Sequence, residues 1–91
     1  MKTDGQHAVE RVQTGVRLEK SLVKVLRGLA EYLDISLGDL LEGIVLHAFE
    51  GRSAFGDKPE LLAAIAGLKK VYGMNYGAEA AHRLIEKEDG K

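Results

Sequence analysis

The chain has 91 residues, 45% of them hydrophobic and 30% charged, with no cysteine and a formal net charge of −1. That length suits one compact domain or a small domain with an appendage, and the composition is that of a folded, soluble, helix-rich protein. The lack of cysteine excludes a disulfide framework and a thiolate metal site, and no apolar run approaches the ~20 residues that cross a bilayer. With no charged-then-apolar leader at the start, the expected location is the cytoplasm.

Residues 1–9 are mostly polar and without period, and read as a flexible arm. Thr14-Gly15-Val16-Arg17-Leu18 then alternates small or apolar side chains with outward-suited ones, the period-2 pattern of a half-buried strand. From Glu19 the period becomes helical. Leu22, Val25, Leu26, Leu29, Ala30 and Leu33 fall on one face of a first helix over 19–33, with Glu19 placed in its first turn. Lys20, Lys24 and Arg27 lie along its solvated flank. Gly28 costs ~1 kcal/mol relative to Ala inside a helix, so it marks a close helix–helix approach. Tyr32 reads as a residue at the core rim.

Asp34-Ile35-Ser36 interrupts the pattern, and Ser36-Leu37-Gly38-Asp39 has the capping-box form that opens a second helix. Leu37, Leu40, Leu41, Ile44, Val45, Ala48 and Phe49 continue it, and Gly51 supplies the stop. Arg52 to Lys58 is a loop by composition, and Pro59 suits the first turn of a third helix that ends near Gly73. Residues 74–77 break the chain again. Ala78 to Lys87, with Ala81, Leu84 and Ile85 on one face, is expected to form a short fourth helix before a polar tail.

A strand followed by two helices is incomplete as a single chain. The strand has no partner for its backbone N–H and C=O groups, and two helices bury little apolar surface against the entropy of ordering them. A symmetric dimer solves both problems, with the strands of two chains paired antiparallel over a core of four helices. Val12, Val16, Leu18, Leu22, Leu26, Leu41 and Val45 are the expected dimer core, with Thr14 an imperfect member of the inward strand face. Arg11, Gln13, Gly15 and Arg17 then face outward.

The runs Val16-Arg17-Leu18-Glu19-Lys20-Ser21-Leu22 and Ile35-Ser36-Leu37-Gly38-Asp39-Leu40-Leu41 resemble the ribbon-helix-helix family of Arc- and methionine-repressor-like DNA-binding proteins. The resemblance covers roughly residues 10–51. It implies a mostly α fold: a ribbon-helix-helix dimer with one short N-terminal strand, two core helices and a C-terminal helical extension. It divides the chain into an arm (1–9), a dimerisation and DNA-binding domain (10–51) and an extension (52–91). It also implies that the outward face of the paired strands enters the DNA major groove, where Gln13, Gly15 and Arg17 would meet base edges. Arg pairs well with guanine and Gln with adenine, whereas Gly15 departs from the polar reader usual at the middle position. Arg11, Lys20 and the start of the second helix, at Ser36, Leu37 and Gly38, would contact phosphate.

Charge distribution bears on this reading from both sides. Residues 1–30 hold six Lys/Arg against three Asp/Glu, while residues 31–91 hold seven against eleven. The basic surplus lies on the ribbon side, although the total is not that of a nonspecific DNA coater. The histidines and serines are scattered and assemble no nucleophile and base, and no glycine-rich phosphate loop is present, so an enzyme is not expected. His47 has no second ligand at metal spacing, and neither metal nor cofactor is expected. The function these features imply is a small dimeric transcriptional regulator, a repressor, binding double-stranded DNA. The alternative is a helical dimeric protein-interaction module, antitoxin-like or an assembly adaptor, without DNA readout. The extension is expected to pack back on the dimer, with a dimer of dimers or a protein partner held through 58–88 as the other outcomes.

Overall fold

The structure, a computed structural model, describes residues 7–87. Residues 1–6 of the expected arm and 88–91 of the expected tail lie outside the described residues. Among the described residues three helices carry the fold: α1 (Lys20–Leu33), α2 (Leu37–Phe49) and α3 (Pro59–Tyr72), followed by a 3-10 turn at Ala78–Ala80.

The helix ends follow from local chemistry. Glu19 precedes α1 rather than lying in its first turn. Its carboxylate accepts from the backbone N–H groups of Ser21 and Leu22, each at 3.0 Å, so it is the N-cap. At the other end Asp34 takes the left-handed conformation (φ 61°), which Asp tolerates better than most side chains, and Ile35 N–H returns to the Ala30 carbonyl. Ser36 caps α2, its Oγ accepting from Asp39 N–H at 3.0 Å. Glu50 caps the end of α2, and Gly51 follows it at φ 72° with its N–H donating to the Ala48 carbonyl at 3.0 Å. Pro59 opens α3, and Gly73 closes it at φ 70° while Met74 N–H reaches the Lys69 carbonyl at 2.8 Å.

α1 is the centre, packing more extensively against α3 than against α2. Leu29, Ala30 and Leu40 are buried between the elements, with Leu26, Leu33, Ile44, Phe55, Ile65 and Leu68 half-covered around them. Gly28 is where α1 and α3 come closest: a Cβ added there would lie 2.8 Å from Leu68 Cδ2. The third helix of the extension therefore shares the core of the first two.

Two expected elements also differ from the structure. Among the described residues there is no strand, and residues 7–19 have no regular element. A strand is defined by its ladder, and a single chain offers no second strand to complete one. The fourth helix is also missing. After the 3-10 turn His82 takes φ 66°, and residues 81–87 are exposed without a helix. A segment of ten residues lies below the length at which a helix persists without tertiary packing, and nothing buries its apolar side chains.

The fold is open for its size. Among the described residues, the buried hydrophobic side chains are Val25, Leu29, Ala30 and Leu40. The radius of gyration is 15.5 Å, against about 12 Å for a compact domain of this length. The accessible surface is 8053 Å² for a 9.9 kDa chain, where a folded monomer of that mass exposes about 5,200 Å².

Candidate nucleic-acid interface

The residues expected to meet DNA lie in three places. Arg11, Gln13, Gly15 and Arg17 are on the exposed segment before α1, Lys20 is the first residue of α1, and Ser36, Leu37 and Gly38 form the start of α2. The segment does not show an inward and an outward side in the single chain. Val12 and Val16 are 81% and 75% exposed, and the residues between them are exposed as well. Leu18 and Val45 are also exposed, whereas Leu22, Leu26 and Leu41 are half-buried on the helices. Leu41, Val45 and Phe49 recur one turn apart on α2, beside the positions (Leu40, Ile44) that enter the core. Val45 and Phe49 of that stripe and the two valines are exposed apolar surface in the single chain.

Both arginines on the segment are paired with acids of the same chain. Arg11 Nε and Nη2 donate to the two carboxylate oxygens of Glu42 at 2.9 and 2.8 Å, a bidentate pair. The hydrogen bond to Glu42 raises the Arg11 pKa, and the same bond lowers that of Glu42. The charge of Asp39 acts on Arg11 in the same direction, so the segment is held beside the first two turns of α2. Arg17 Nη2 donates to Glu86 of the C-terminal segment. Neither pair was legible in the sequence, because the partners lie 31 and 69 positions apart with no local pattern to couple them.

Between these pairs Glu19 is more than a cap. Besides the two backbone donors, its carboxylate accepts from Ser21 Oγ at 2.6 Å and from the Tyr76 hydroxyl at 2.7 Å. The Ser21 bonds, then the Tyr76 hydroxyl, pull the Glu19 pKa from 4.5 down to about 2. Partial burial and the bond to Glu19 push the Tyr76 phenol up to about 12. An acid ahead of an apolar helical run was the one available signal for the cap; Tyr76 gave none.

At the start of α2, Asp39 N–H already serves Ser36 Oγ and Leu40 N–H serves the Ser36 carbonyl. The anion-binding capacity of this helix end therefore rests on Leu37 and Gly38, not on Asp39. His47 Nδ1 donates to the Gly43 carbonyl at 2.7 Å on the same helix, which fixes its tautomer. No protein-family model, curated protein or solved structure matches the chain.

Proposed function

We propose that the chain is a small dimeric DNA-binding regulator acting as a repressor, in which segments 12–18 of two copies pair and present Gln13, Gly15 and Arg17 to the major groove. The observation that carries this reading is uncovered apolar surface in two matched places. Val12 and Val16 on the segment, and Val45 and Phe49 on α2, are where a second copy would bury surface. The excess accessible area and the low number of buried residues favour the same conclusion. Arg11, Lys20 and the amide groups of Leu37 and Gly38 flank the segment as phosphate contacts.

A titration of the full chain against the DNA upstream of its own coding sequence and a scrambled duplex, at two salt concentrations, tests the proposal. Selective binding that weakens steeply with salt is expected. Equal or absent binding to both duplexes would overturn it.

A second reading, a helical dimer that binds another protein, is favoured by the engagement of both segment arginines with acids and by the net charge of −1. A groove of about 260 Å³ beside α2, lined by Leu33, Leu40, Ile44, Phe55 and Leu61, would seat an apolar side chain of such a partner.

A further inference from the structure

The two ion pairs on the segment before α1 have one feature in common. In each, an arginine that the DNA-binding reading needs is held by a carboxylate from another part of the chain: Glu42 on α2 for Arg11, Glu86 beyond α3 for Arg17. The Arg11 pair is bidentate, the arrangement a guanidinium also adopts with phosphate. Glu86 is brought back to Arg17 by a second contact. Tyr76 donates to Glu19 at 2.7 Å, two residues from Arg17, and the chain from Tyr76 to Glu86 turns through the left-handed residue His82.

We infer that Glu42 and Glu86 are intramolecular stand-ins for nucleic acid, occupying Arg11 and Arg17 so that the chain masks its own cationic segment until a duplex displaces them. The inference rests on the DNA-binding reading and adds a competition to it. All four side chains are exposed, with 68% and 47% of the Arg11 and Glu42 side chains accessible, and 83% and 70% of Arg17 and Glu86. Exposed pairs are weak, and a polyanion with many phosphates replaces them readily. The mask therefore sets a threshold: weak, nonspecific duplex contacts meet the competing carboxylates, while a full site overcomes them.

The test compares full-length wild type, Glu42→Gln/Glu86→Gln, and Glu50→Gln/Glu60→Gln by duplex titration at low and moderate salt. The last variant changes net charge equally but alters acids that make no hydrogen bond to Arg11 or Arg17 among the described residues. Removing the mask should tighten binding by about 3- to 20-fold, as expected for releasing two exposed pairs, and more than the charge-matched control does. The gain should be largest on scrambled DNA, so that selectivity falls. Equal gains in the two variants, or none in either while wild type binds, would overturn the mask and leave the DNA-binding reading in place. Absence of binding by all three proteins at low salt would overturn both.

Discussion

Arg17 is the side chain with the most specific consequence. Arg17→Ala should leave the helices intact and cost about 1–3 kcal/mol of selective DNA binding, measured by titration against the cognate duplex. Unchanged affinity would remove it from the reading surface. Glu19 makes a different expectation, about pH. Its folded-state pKa of about 2 lies below the ordinary 4.5. The stabilisation from its ionised form is therefore fully present above pH 4.5 and is lost as pH falls through about 2. Thermal melts of wild type and Glu19→Gln should differ at pH 6 and converge between pH 4.5 and 2, while a constant difference would deny the cap its charge. Of these residues, Arg17 and Gln13 were singled out from strand alternation and side-chain chemistry, which are local patterns, although no strand forms around them among the described residues. The partners Glu42, Glu86 and Tyr76 were not, because each contact joins segments that only the tertiary fold brings together.

At the scale of elements, the helix boundaries were the most readable feature. Ser36, Gly51, Pro59 and Gly73 each stop or start a helix for a reason carried by the residue itself: a side-chain acceptor, a positive φ or a missing N–H. The fourth helix failed because an apolar spacing forms a helix only where something covers it, and Leu84 and Ile85 remain 51% and 91% exposed. Two glycines test the packing of α1 on α3. Gly28 faces Leu68 at close approach, whereas a Cβ on Gly67 would meet nothing within 4 Å. Gly67→Ala should therefore stabilise the protein by up to about 1 kcal/mol through helix propensity. Gly28→Leu should destabilise it by about 1–3 kcal/mol by forcing the helices apart. Urea titrations of the two variants measure both signs, and a neutral Gly28→Leu would place α3 elsewhere.

The whole molecule turns on whether its open surface is covered by a second copy. Val16→Asp would place a charge on the proposed shared face and should abolish the dimer, seen as a halving of mass by sedimentation or light scattering. A dimer that persisted would mean the segment faces the other way. Period-2 alternation pointed to such a face, yet only a partner strand converts alternation into burial, and the single chain leaves Val12 and Val16 open. Under the proposed dimer, an accessible surface of 8053 Å² also has a consequence for dosage. A chain that gains much of its burial by association has a stability that rises with its own concentration. Freshly made, dilute copies would have shallow denaturant transitions and be open to proteases at residues 7–18, and accumulation would sharpen the transition and close that site. The protein's lifetime would then report its abundance, a form of self-measurement that requires no ligand.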